Sequence, residues 1–157
     1  TNIKNRKDQN KLKNFGIVHS DSVSGLKLKN VCVLSQYAEK TLSKADKKFG
    51  YFVFGGILGD NPSKKRTNIL VNELKKSKTR FETRNLGTIQ MPTDVSVFVA
   101  KKMLEGKKLS DFKFVDELEI EINDNESVTL PFRYVVDNSR AIIDDRLVEY
   151  LRKRKEF

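Results

Sequence analysis

The chain has 157 residues, the length of one domain, and its 31 Lys and Arg against 21 Asp and Glu give a formal net charge of +10. A single cysteine, Cys32, excludes an internal disulfide, and a single histidine, His19, excludes a zinc site of the usual kind. A Ser-His-Asp or Cys-His mechanism would have to take its base from His19, and no apolar run is long enough to cross a bilayer.

The first residues, TNIKNRKDQNKLKNFGIVHSDSV, are polar; Thr1–Ile3 has the character of a strand end. A short helix is expected around Asp8–Asn14 and a strand at Gly16–His19. VCVLS at 31–35 is a compact β-branched strand. Thr41–Lys48 suits a short helix capped by Thr41 or Ser43 and ended by Gly50. Tyr51–Phe54 is the strongest strand in the chain, and it runs into Gly55, Gly56 and Gly59. Asn61 and Pro62 have the form of a helix cap and first turn. Thr67 is a second candidate cap, with Ile69, Leu70 and Leu74 forming the apolar face.

Residues 80–90, RFETRNLGTIQ, read as extended or loop-like. The period then changes: Val95, Phe98, Val99 and Met103 share one helix face, Pro92 precedes the first turn, Asp94 suits its positive end and Gly106 closes it. ELEIEIN (117–123) alternates strictly, and SVTLPFRYVV (127–136) reads as its partner strand, interrupted at Pro131. Ile142–Arg154 is expected to form a terminal helix with a basic tail. Strands alternating with helices argue an α/β domain with a mostly parallel sheet, helices on its flanks and a small β hairpin insertion.

A strand halted by glycines implies close backbone approach, by a phosphate, an adenosyl group or merely a helix. A P-loop would need a lysine after Gly59, where Asp60 stands. A dinucleotide fingerprint would need G-x-G-x-x-G, where this chain has G-G-x-x-G followed by an acid that repels pyrophosphate. A carboxylate beside a glycine pair suits a ligand carrying hydroxyls or positive charge. The basic clusters Lys4–Lys7, Lys64–Arg66, Lys75–Arg80, Lys107–Lys108 and Arg152–Lys155 suit a polyanion, RNA above all, or a plainly solvated surface.

Three segments, FVFGGILGDNPSKKRT (52–67), RNLGTIQMPTDVSVFVAKKMLEG (84–106) and ESVTLPFRYVV (126–136), together resemble the SPOUT-class S-adenosylmethionine-dependent methyltransferase family of archaea and eukaryotes. Its pattern runs FGGILGD-x-P-x-x-x-R-T, LG-x-x-QM-x-TD-x-A-V and ES-x-x-x-PFRY; Ser96 replaces the usual alanine, and Asn61 stands where histidine is common. The resemblance covers roughly residues 30–136. It implies a SPOUT-like trefoil-knotted fold, a known exception to unknotted topology. Residues 1–157 would then be a single methyltransferase domain, expected to lack the family's first strand and helix.

The resemblance also implies site roles. Gly55, Gly56 and Gly59 would let backbone approach S-adenosyl-L-methionine, with Leu86, Gly87, Gln90 and Met91 as a second wall. Thr93 and Asp94 would stand at the mouth, and Phe132, Arg133 and Tyr134 would close a third side. Asp60 and Asp94 are the carboxylates suited to a sulfonium, although Asp60 equally suits a turn and Asp94 a helix N-terminus. Arg66 would neutralise Asp60, grip the methionyl carboxylate or an RNA phosphate, or simply be solvated. Arg133, in an apolar strand, is expected to be paired, and one of Phe132 and Tyr134 to be core. His19 and Cys32 lie outside the motifs and read as structural.

Much of the class modifies RNA, while a eukaryotic branch of this family methylates an arginine of a ribosomal protein. An arginine acceptor needs a carboxylate to orient and deprotonate it, favouring Asp60 with Asp94 or Glu126 in support. The alternative from another class is a non-catalytic basic domain that binds RNA or ribosomes. The expected setting is cytoplasmic, with a ribosomal protein or RNA as partner, no metal and no membrane; members of the class often form homodimers.

Overall fold

A computed structural model describes residues 2–55 and 67–153. At its centre is strand β1 (Val31–Leu34), flanked in parallel by β2 (Tyr51–Phe54) and β3 (Phe81–Arg84) in the order β2-β1-β3. Leu34 stands between Phe54 and Arg84, so the three strands end level with one another. VCVL is β-branched and apolar on both faces, as a central parallel strand must be, and all four residues are buried.

Alternation sends the strand's side chains to opposite cores. Cys32 and Leu34 join Leu42, Leu86, Met91, Val95, Val99, Met103 and Tyr134 beneath helix α3 (Thr93–Glu105). Val31 and Val33 pack with Val23, Leu70 and Leu74 beneath helix α2 (Thr67–Lys76). Gly106 ends α3 at φ +119°, a left-handed cap, as its position predicts.

The parallel sheet is only part of the architecture. An antiparallel sheet joins β4 (Lys113–Val115), β7 (Tyr134–Asp137) and β8 (Arg140–Ala141) in the order β4-β7-β8, and β5 (Leu118–Asn123) pairs with β6 (Glu126–Leu130) as the expected hairpin. The expectation of a mostly parallel sheet is corrected accordingly. The reading of 127–136 as one interrupted strand is corrected too. Pro131 has no N–H to donate, and the Phe132 N–H turns back to the Leu130 carbonyl at 2.9 Å, so the chain leaves the hairpin and enters another sheet.

Other boundaries shift. The first helix, α1, runs Arg6–Leu12 under an Asn5 cap. No strand forms at 16–19, where, among the described residues, the His19 carbonyl alone accepts a backbone hydrogen bond, from Ile3 N–H at 3.1 Å. The helical part of 41–48 is a 3-10 helix, Lys44–Lys48, capped by Ser43, while Thr41 bridges to Asn85 as an added strand position. The last helix, α4, begins at Asp145, because Ile142 N–H still pairs with the Val135 carbonyl. No helix among the described residues is long and apolar enough to cross a membrane.

Candidate functional site

The connection after β1 leaves over the α3 face, where Leu42 is buried, and the connection after β2 returns through α2 on the other face. Connections that leave a parallel sheet on opposite faces open a crevice at the carboxyl ends of its strands, the usual ligand position in such sheets. Gly55 follows β2, Ser35 follows β1 and Asn85 follows β3. With neighbouring strands about 4.8 Å apart, the two outer ends stand about 10 Å from each other.

The segment after β3 forms one side. Gly87 has φ +97°, which favours glycine, and a Cβ there would stand 3.3 Å from Leu109 Cδ2 and 3.8 Å from Arg133 Nη1. Leu86 and Met91 put their side chains into the core. What they leave facing the crevice is the main chain they anchor. The amides of Leu86, Thr88, Ile89 and Gln90 donate no hydrogen bond among the described residues, whereas Gly87 N–H donates to Asn85 Oδ1 at 3.0 Å.

The PFRY segment closes against this loop. Arg133 N–H donates to the Gln90 carbonyl at 2.9 Å. The Arg133 guanidinium is paired, as expected: Nε donates to Asp116 Oδ1 at 2.5 Å and Nη2 to Oδ2 at 3.0 Å, with the Phe114 ring 4.9 Å away. This pairing holds the Asp116 carboxyl below its ordinary range. Tyr134 is the core member of its pair, and Phe132 is half-buried. Tyr134 shares the core with Val95 in the first turn of α3, and burial first, then the negative charge of Asp94, pushes its hydroxyl up to about 12. Asp94 itself is exposed, one residue after Thr93.

Gly87, Gln90, Arg133, Tyr134 and Asp94 are thus brought together. Gly55 has a local reason to be glycine as well: a Cβ there would stand 2.8 Å from Thr67 Oγ1. Gly56, Gly59, Asp60 and Arg66, with the Asn61-Pro62 cap, lie outside the described residues. Glu126 starts β6 at the hairpin turn and accepts from Asn123 Nδ2 at 3.0 Å.

Two polar groups here escape a reading of the sequence alone. Asn85 is buried, and its Nδ2 donates to the Ala38 carbonyl at 2.7 Å. Its Oδ1 accepts from Thr41 Oγ1 at 3.1 Å and from Gly87 N–H. One carboxamide therefore ties the loop after β1 to the loop after β3. The signal for it was an Asn two residues before a glycine, the Asx-turn spacing. Beneath it, buried Arg84 donates from Nε to Asp46 Oδ1 at 2.9 Å and from Nη2 to Glu82 Oε2 at 2.8 Å. Burial alone would raise the Asp46 carboxyl; hydrogen bonds from Arg84 and from the Ser43 amide more than offset this and hold it below its ordinary range.

This donor set fits an adenosyl ligand. It offers a floor anchored in the apolar core, free main-chain amides able to read a neutral base edge, and a glycine where a side chain would intrude.

Comparison with known proteins agrees with that chemistry. Residues 1–156 match the family model described as protein arginine N-methyltransferase SFM1-like. Over 135 residues the chain is 36% identical to the protein arginine N-methyltransferase SFM1 of Saccharomyces cerevisiae (strain ATCC 204508 / S288c), covering 82% of this chain and 60% of that one. The chain therefore spans about three-fifths of the length of this curated relative. Crystal structures of the yeast arginine methyltransferase SFM1 are similar over nearly all of this chain. The complex with SAM has a TM-score of 0.82 at 31% identity, covering 96% of this chain and 73% of that one. The complex with SAH has a TM-score of 0.81 at 31% identity, covering 95% and 76%. The same mixed α/β arrangement, the crevice at the strand ends and a family match over nearly every residue lead to one conclusion: the chain belongs to the SFM1-like protein arginine N-methyltransferase family.

Proposed function

We propose that this protein transfers a methyl group from S-adenosylmethionine to an arginine of a ribosomal protein. The observation that carries the reading is the junction of two distant segments at the crevice, the Gln90 carbonyl accepting from Arg133 N–H beside Gly87. It stands in a chain whose yeast relative has been crystallised with SAM, SAH and MTA. The SPOUT class and its trefoil knot are part of the same reading, supported by the order of the three motifs. A cytoplasmic setting is supported by the one cysteine, a buried free thiol.

The cofactor, when bound, supplies an electrophilic methyl on a sulfonium. Leu86, Gly87, Gln90 and Met91 would hold its adenosyl portion through main-chain groups. Arg133 cannot serve as a free cation there, because Asp116 engages it from two nitrogens. The acceptor guanidinium is charged at neutral pH and must be oriented and deprotonated. Asp94, exposed at the mouth with no hydrogen bond or ion pair among the described residues, is available to attract it, and Asp60 is the second carboxylate in the sequence.

The test is transfer of labelled methyl to separated ribosomal proteins and ribosomal RNA, with calorimetry of SAH binding alongside. Label on protein, reduced roughly 10²–10⁴-fold in kcat/KM by Asp60→Asn or Asp94→Asn at unchanged SAH affinity, is the expected result. Label on RNA alone, with a steep loss of activity in salt, would replace the acceptor. Bound cofactor with no transfer would leave a non-catalytic binding domain.

A further inference from the structure

We propose that the lysines gathered where the 3-10 helix Lys44–Lys48 meets the C-terminal half of α3 form a docking surface for the phosphate backbone of RNA. The patch is made by the fold, because its members come from two stretches of sequence more than fifty residues apart. Lys44 Cδ lies 3.6 Å from where a Cβ on Gly106 would stand, just past the end of α3. Glu105 accepts from Lys102 Nζ at 3.0 Å and also feels Lys101 and, from the other element, Lys47. Lys107 Nζ lies 4.4 Å from the Phe112 ring centroid and remains exposed, as does Lys108.

The neighbouring acids leave most of this charge uncompensated. Asp46 is turned inward to Arg84, Glu105 is engaged by Lys102 and Glu82 by Lys48 and Arg84, while Asp111, which accepts from the Lys108 amide, offsets one of the remaining charges on Lys44, Lys47, Lys101, Lys107 and Lys108. The negative end of α3 accounts for cations on its own last turn. It does not account for Lys44 and Lys47, which belong to a separate element.

The chemistry selects the partner. Every cation named is lysine, a compact point charge suited to sequence-independent contacts along a row of phosphates, where the planar fork of arginine suits bidentate recognition of a single carboxylate or phosphate. A membrane surface would need an apolar face beside the charge. None of the exposed large apolar residues falls within 44–48 or 101–108; Val97, one turn before Lys101 on α3, is a single exposed side chain and not a face, and Phe15, Ile17, Leu147 and Tyr150 belong to other segments. This proposal is independent of the reaction.

The experiment is fluorescence anisotropy of a labelled single-stranded RNA of mixed sequence, titrated with the full chain across a range of salt. The patch variant carries Lys44→Glu, Lys47→Glu and Lys101→Glu; a control of equal charge change carries Lys4→Glu, Lys7→Glu and Lys11→Glu around α1. The wild type should bind with a steep salt dependence. The patch variant should lose at least about tenfold in affinity, and its log–log salt slope should fall by about 2, three phosphate contacts at about 0.7 each. The control should change much less. Circular dichroism and thermal melting verify folding, and a Lys→Gln triple at the patch positions, losing affinity in the same order, covers the case of a misfolded Glu triple. Equal losses in the patch and control variants would reduce the effect to net charge and overturn the proposal. So would binding to anionic vesicles with none to RNA.

Discussion

At Asn85 a single side chain bonds two backbone groups and the Thr41 hydroxyl, and its energetic weight follows from burial. Replacing it with alanine leaves the Ala38 carbonyl and Gly87 N–H without their partner, at a cost of about 1–3 kcal/mol for a buried unsatisfied group. Asn85→Ala should therefore melt lower and bind SAH more weakly, which calorimetry and a melting curve measure together; unchanged SAH affinity would make its role purely structural. Gly87 tests the same crevice from the backbone. At φ +97° an L side chain is strained by about 1–3 kcal/mol, and its Cβ would press on Leu109. Gly87→Ala should lose SAH binding, and unaltered binding would place the ligand away from this loop.

Among the elements, the 3-10 helix and β3 are joined by the buried Arg84–Asp46 pair, Nη2 to Oδ1 at 2.8 Å. Breaking such a pair leaves an uncompensated charge and costs about 3–5 kcal/mol, so Asp46→Ala should be strongly destabilised in urea. The pH dependence has a definite sign. Because the folded Asp46 carboxyl is held below its ordinary range, its ionised form stabilises the fold above the unfolded value, and that contribution is lost as pH falls through the lowered folded value. Asp46→Asn should therefore show a shallower acid limb in its stability–pH profile than the wild type, and parallel limbs would contradict the pairing. The β6–β7 break shows the opposite lesson: at Pro131 a local covalent fact, the missing N–H, determines which of two sheets the following residues join.

For the whole molecule, Cys32 reports on cooperativity. It is fully buried on the central strand, and burial first, tempered by Arg84, pushes its thiol up to about 12. A group so placed is a protonated, inaccessible thiol that reacts only when the sheet opens. Modification by a thiol reagent should track the unfolding free energy across urea concentrations and slow when SAH is present; fast labelling in water would mean that β1 opens locally.

Much was legible in the residues. The β-branched run at 31–34, the helix period from Val95 to Met103 and the strict alternation at 118–123 each carry their own element, because side-chain period is a local property. The glycines, the TD pair and PFRY stood out for another reason, the resemblance of three ordered segments to a known family. What the sequence could not decide was set by partners distant along the chain. The three-residue β4 and two-residue β8 are too short to show a period and exist only because β7 lies beside them. Asn85, Arg84 and Asp46 are ordinary polar residues until burial makes their hydrogen bonds obligatory. The lysines of 44–48 and 101–108 become one surface only when α3 packs on the 3-10 helix, since charge adds in space and not along the sequence.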